Sequence, residues 1–221
     1  MLNLLYDYIE NSLPEGELIT SPGLRAKADE TGRLLPFEGN TVVFLLDDEV
    51  KQKLAGLQDR LYQAAGEMLS EPLHPDTFHM TLHDLANGTP GPDTRRWMAE
   101  TEPAARAVLA GLRQEYTAPL AMQTTWMFNM VNTSIVLGLA PADEDSRDRL
   151  GRMYEALNGV VPLNYALTPH ITLAYFRPGR YGEAALSSLR AALGPVDLRL
   201  TLRMEDLVLQ RFSDMNHYVT I

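Results

Sequence analysis

A chain of 221 residues with 45% hydrophobic and 22% charged side chains has the composition of a folded globular protein with a substantial core, which excludes disordered, low-complexity and small stapled scaffolds. Nineteen Lys plus Arg against 29 Asp plus Glu leave a net charge of −10, which disfavours wrapping long nucleic acid, because that affinity comes from cations neutralising many phosphates; a small phosphorylated ligand needs only a few local cations. The absence of cysteine removes disulfides, thiol catalysis and thiolate metal sites and fits a reducing compartment.

The N-terminus MLNLLYDYIENSLPEGE is acidic and lacks a basic leader, and no apolar run approaches the roughly 20 residues that span a bilayer. The expectation is a cytoplasmic protein with no membrane partner. Residues 1–39 read as an N-terminal extension, with a short helix over 2–12 and an irregular Gly- and Pro-bearing segment after it. Residues 41–46, TVVFLL, form a strand, and Asp47-Asp48-Glu49 opens a helix carrying Val50, Leu54, Leu57, Leu61 and Met68. A Pro-containing loop leads to the alternating segment 78–85, FHMTLHDL. Residues 92–113 are helical with an interruption at Pro103, and 119–130 is a strand that turns into a second at 133–139. Asp143-Glu144-Asp145 opens a helix with Leu150, Met153, Tyr154 and Leu157, followed by the strand HITLAYF at 170–176. Glu183 to Leu193 is a helix stopped by Gly194-Pro195; Val196, Leu198, Leu200 and Leu202 alternate as a strand, and LVLQRF and HYVTI are the last two.

Within this order lies an internal echo. Asn40-Thr41 and Asn132-Thr133 each open a strand, helix, loop and His-x-Thr strand, with 39 residues from Asn40 to His79 and 38 from Asn132 to His170. The spacing predicts a duplicated unit of two α/β lobes. In a strand, residues i and i+2 share a face about 6.6 Å apart, so His79 and Thr81 face one way, as do His170 and Thr172. Met80, Leu82, Ile171, Leu173 and Tyr175 face the covering helices. Two imidazoles and two hydroxyls around one groove suit phosphodiester chemistry: histidine serves as base or acid near neutral pH, and hydroxyls donate to the phosphoryl oxygens.

HMTL at 79–82 and HITL at 170–173 resemble the paired His-hydrophobic-Thr/Ser-hydrophobic motifs of the two-histidine (2H) phosphoesterase superfamily, and GRLLPFEGNTVVFLL is similar to one bacterial and fungal branch of it. The resemblance covers residues 32–221; the first 30 residues have no counterpart in the family pattern. It implies an α+β fold of two similar lobes (a single bilobal domain over 40–221), with antiparallel sheets lining a central groove. It also implies metal-independent phosphoester cleavage in which His79, Thr81, His170 and Thr172 carry the catalytic roles. The function expected is hydrolysis of a cyclic phosphate, 2′,3′-cyclic first, on a small nucleotide or short oligonucleotide, with no cofactor. A non-catalytic module that binds nucleotides or RNA ends is the alternative.

Further side chains are candidates for substrate binding. Alternation places His83 on the face of His79 at the groove's end, where a capping role is the competing reading; a His79/His83 metal pair would need a helix, since on a strand the two lie about 13 Å apart. Phe176 continues the face of His170 and Thr172 and could stack on a base, or fill the core at the sheet edge; Trp126 is a second aromatic of that kind. Arg177, directly after the second motif strand, and Arg211 could hold a phosphate, or serve as surface cations. His74 and His217 read as structural or solvent-exposed.

Overall fold

The computed structural model of the protein describes residues 12–221; the helix expected over 2–12 lies outside them, apart from Ser12. The elements follow the apolar periodicity: β1 (Glu17–Ile19), β2 (Glu38–Leu45), α1 (Asp48–Ala65), β3 (His79–Gly88), α2 (Pro92–Glu115), β4 (Leu120–Met130), β5 (Ser134–Pro141), α3 (Glu144–Asn158), β6 (His170–Tyr175), β7 (Arg180–Gly182), α4 (Glu183–Ala192), β8 (Arg199–Leu202), β9 (Leu207–Asp214) and β10 (His217–Thr220). Pro103 does not interrupt α2. The helix is continuous because Met98, Thr101, Ala105, Leu109 and Leu112 all bury on one face, and packing of that face outweighs the local cost of proline.

Eight strands form one curled sheet in the order β10-β9-β2-β3-β6-β5-β4-β8, and every neighbouring pair is antiparallel. The duplicated units β2-α1-β3 and β5-α3-β6 occupy equivalent places in its two halves. The antiparallel strands of the two lobes join edge to edge: the motif strands β3 and β6 meet at the sheet's centre, in register at Met80 and Ile171. Strand β8 is shorter than alternation predicts, starting at Arg199 rather than Val196. A register shift in β4 between Thr124 and Met127 breaks the ladder there, and Val196 and Leu198 instead bond the backbone of Thr125 and the hydroxyl of Thr124.

The helices bury regular stripes, such as Leu54, Leu57, Leu61 and Ala65 of α1, against the apolar side of the sheet. The segment before β2 joins the same core: Leu18, Leu24 and Ala28 are fully buried, and β1 pairs with β7 in a separate two-stranded ribbon. Among the described residues no helix is long and apolar enough to cross a membrane.

Candidate active site

The side of the sheet opposite the core stripe holds a cavity of about 650 Å³ lined by His79, Thr81, His170 and Thr172 together. The antiparallel register explains their convergence. With Met80 facing Ile171 across the seam, both core-facing, the residues on either side of each, His79 with Thr81 and His170 with Thr172, turn to the other face.

Strict alternation stops at the threonines in both lobes. On β3, Thr81 pairs with Val43 and His83 with Val42, so Leu82 is an extra residue; on β6, Thr172 pairs with Val136 and Ala174 with Ile135, so Leu173 is extra. A one-residue bulge exchanges the faces of everything beyond it. Asp84, opposite Thr41, and Tyr175, opposite Ser134, therefore continue the His-x-Thr face, and both line the cavity. The bulge in β6 leaves the Leu173 carbonyl outside the ladder, and the buried Gln58 of α1 donates from Nε2 to it at 2.9 Å, while also donating to Leu73 O at 3.0 Å. A helix side chain thereby satisfies the backbone group that the bulge exposes.

Each histidine is fixed by the same contact. His79 Nδ1 lies 2.7 Å from Thr77 O and His170 Nδ1 lies 2.7 Å from Thr168 O. A carbonyl can only accept, so Nδ1 carries the proton in both rings and Nε2 is left for the cavity. The His79 ring also packs edge-on against Tyr218 with centroids 5.0 Å apart. Burial pushes the His79 imidazole down to about 4, against the Thr77 carbonyl and Asp84, which favour its charged form. His170 is lowered by burial as well, again opposed by its carbonyl partner and by Asp84, with Lys27 adding to the lowering. Thr81 and Thr172 have no hydrogen-bond partner for their hydroxyls among the described residues, which leaves both free to donate into the cavity.

The ends of the cavity differ in charge. Because β3 and β6 run in opposite directions, Asp84 and Tyr175 stand at opposite ends. Asp84 accepts from the Tyr165 hydroxyl at 3.4 Å. Over Tyr175 sits Lys27, its Nζ 5.2 Å from that ring and 5.1 Å from Phe37. Among the described residues, Lys27 and Asp84 are the only Lys, Arg, Asp or Glu side chains lining the cavity.

The other sequence candidates lie elsewhere. Phe176 is fully buried in the core and does not line the cavity, since the Leu173 bulge gives its place to Tyr175. Tyr175, expected beneath the helices, is in the wall for the same reason. Trp126 sits in the irregular part of β4, bridging Pro195, away from the cavity. Arg177 is also outside it, with its chain beside Gly32, and Arg211 is paired with Glu102. His83 borders the cavity but is 1% exposed. The Leu82 bulge takes it off the face of His79, and its Nε2 lies 3.1 Å from Asn158 Oδ1, the oxygen that also accepts from Leu163 N. It braces the loop that leads to Thr168 and His170. Among the described residues no three His, Asp or Glu side chains are grouped to share a metal ion.

No family model and no curated protein matches the chain; solved structures do. A conserved protein of unknown function from Agrobacterium tumefaciens, ATU0111, is similar over 100% of this chain and 98% of its own, with a TM-score of 0.62 at 16% identity. TT0787 of Thermus thermophilus covers 83% of this chain and 94% of its own, with a TM-score of 0.54 at 16% identity. Escherichia coli LigT complexed with 3′-AMP covers 84% and 95%, with a TM-score of 0.52 at 14% identity.

Proposed function

We propose that this chain, which has the 2H phosphoesterase fold, is a metal-independent phosphodiesterase that hydrolyses a cyclic phosphate, with the 2′,3′-cyclic phosphate of a nucleotide or short oligonucleotide as the primary substrate. The observation that carries this reading is the equivalence of His79 and His170: from matched strand positions, each with Nδ1 on a carbonyl two residues back, both leave Nε2 for one cavity.

Two imidazoles in different protonation states supply the proton transfers of the reaction. A neutral ring takes a proton from water at Nε2 as the water oxygen bonds to phosphorus. The phosphorus–oxygen bond to one ribose hydroxyl position breaks, and the other ring, an imidazolium, gives its Nε2 proton to that oxygen. One proton is taken and one returned, and the product is a phosphomonoester beside a free hydroxyl. Throughout, each Nδ1–H stays on its carbonyl, which holds the ring orientation. Thr81 and Thr172 donate to the nonbridging oxygens, where negative charge accumulates, and Asp84 favours whichever ring is charged.

LigT, which shares the fold, is seen with 3′-AMP, and that supports a ligand of mononucleotide size. The net charge of −10 and a cavity with a single lysine among its described lining residues support a small substrate over long nucleic acid. The test is turnover of 2′,3′-cyclic, 3′,5′-cyclic and cyclic dinucleotide phosphates by mass shift. Opening of the 2′,3′-cyclic ring is expected; binding without turnover of any of them would make the protein a nucleotide-binding module instead.

A further inference from the structure

The cavity is charged unequally at its two ends, although the lobes that build it are alike. In the first lobe the residue that continues the His-x-Thr face is Asp84; in the second it is Tyr175, with the ammonium of Lys27 over its ring. This lysine comes from the segment before the duplicated units, so the lobes' near-symmetry does not account for it.

Its position is set in advance. Lys27 N donates to Leu24 O at 2.8 Å, and Leu35 N donates to Lys27 O at 2.8 Å. The turn between them is closed by Asp29, whose Oδ1 accepts from Thr31 N and Arg33 N, and by Gly32, whose φ of 90° is open to glycine and strained for other residues. The side chain lies between Phe37, which immediately precedes β2, and Tyr175 of β6. Rings hold an ammonium in place without neutralising it, and Lys27 forms no ion pair among the described residues. A half-buried, preorganised and uncompensated cation facing a cavity calls for an anion from the ligand.

The ring beneath the lysine is offset along the strand from the His-x-Thr residues. Tyr175 stands two ladder positions beyond Thr172, from Val136 to Ser134 on the neighbouring strand, which is about 7 Å along the sheet. A phosphate between the two histidines is already met by Nε2 of each ring and by the threonine hydroxyls. We infer that Lys27 forms a second anion subsite, which binds a phosphoryl group on the 5′ side of the ribose whose cyclic phosphate is opened. The preferred substrate thus carries two phosphoryl groups, either as a 5′-phosphorylated 2′,3′-cyclic nucleotide or as the 3′-terminal nucleotide of a short oligonucleotide. This rests on the phosphodiesterase reading for its chemistry, and on Lys27 alone for the second phosphate.

Two measurements separate the inference from that reading. In turnover, adenosine 2′,3′-cyclic phosphate is compared with its 5′-phosphorylated form and with the dinucleotide ending in the same cyclic phosphate. Wild type should favour a doubly phosphorylated substrate about tenfold in kcat/KM, chiefly through KM, as for one charge-assisted contact; Lys27→Met should bring that ratio near unity and Lys27→Arg should restore most of it. Preference for the 5′-phosphorylated mononucleotide alone identifies a terminal phosphomonoester as the group bound, and preference for both forms includes the internal diester. In binding, calorimetry with adenosine 3′,5′-bisphosphate and with 3′-AMP needs no catalysis. The bisphosphate should bind about tenfold tighter to wild type and with no advantage to Lys27→Met. Equal affinity of wild type for the two probes, or an advantage that survives Lys27→Met, overturns the subsite even if cyclic phosphates are hydrolysed. A bisphosphate preference that depends on Lys27, without turnover of any cyclic substrate, keeps the subsite and overturns the catalytic reading.

Discussion

His79 and His170, 91 positions apart in the chain, make the same contact: each Nδ1 lies 2.7 Å from the carbonyl oxygen two residues before it, Thr77 O for one and Thr168 O for the other. The two carbonyls belong to different loops, yet both fix the proton on Nδ1 and aim the ring along its strand's outward face. Neither ring is set up as the orienter of the other, and both line the same cavity with Nε2 left unused by those carbonyls.

If both transfer protons in one transition state, replacing either with Ala should lower kcat by about 10²–10⁴ on the best cyclic substrate. Groups acting as a unit are not additive, so His79→Ala/His170→Ala should be little worse than the poorer single variant. Thr81→Ala and Thr172→Ala should cost less, since each removes one neutral donor. Steady-state kinetics with a thermal melt of each variant checks this; a folded His79→Ala protein with near wild-type turnover would mean that the first motif is structural.

The strands, helices and paired His-x-Thr segments were legible because they rest on periodicity, which the sequence displays directly. The two bulges were not. An inserted Leu82 or Leu173 leaves the apolar pattern plausible while exchanging the faces beyond it, and this single cause accounts for His83 and Phe176 turning inward and for Asp84 and Tyr175 turning to the cavity. The repeated spacing was a signal available beforehand: Asp84 and Tyr175 both stand three residues after the motif threonine, at equivalent points of the echo. Lys27 had no such signal, as a single lysine in an irregular segment whose contacts with Phe37 and Tyr175 exist only once the chain is folded. Trp126 and Arg177 are candidates by residue type and proximity to strands alone, and their packing beside Pro195 and Gly32 depends on long-range contacts.

The Gln58 bridge predicts a stability defect that reaches the site. Gln58→Leu keeps the side chain's approximate bulk but leaves the carbonyls of Leu73 and Leu173 without their donor. An unsatisfied buried group costs about 1–3 kcal/mol, so the urea midpoint should fall by a corresponding amount with little change in the slope. Because Leu173 is the bulge residue beside Thr172, activity measured well below the new midpoint should fall too. A variant as stable as wild type would show that the helix does not hold the bulge.

Chelation should leave turnover unchanged, since the proposed base, acid and oxyanion donors are all side chains. Incubation with excess EDTA followed by assay on a 2′,3′-cyclic substrate checks it. Loss of activity that zinc or manganese restores would replace the two-histidine mechanism with a metal-assisted one.

The pH dependence follows from the two imidazoles. Burial lowers both, His79 to about 4, while the proposed reaction needs one ring neutral and one charged. In the free protein that combination is most populated between the two pKa values, so kcat/KM should peak below the ordinary histidine value of about 6.5 and fall as the pH rises and the imidazolium is lost. A bound phosphate anion favours the charged ring, so the descending limb of kcat should lie at higher pH than that of kcat/KM. Asp84 also favours the charged form of both rings. Asp84→Asn removes that charge, lowers both pKa values, and should move the descending limb of kcat/KM to lower pH, with a loss of rate near neutrality that is recovered in part on acidification. Profiles of wild type and Asp84→Asn from about pH 4 to about pH 9 decide it: a wild-type profile flat from neutral to alkaline pH would exclude an imidazolium acid, and a limb that moved upward in Asp84→Asn would mean that the carboxylate does not act on the histidines through its charge.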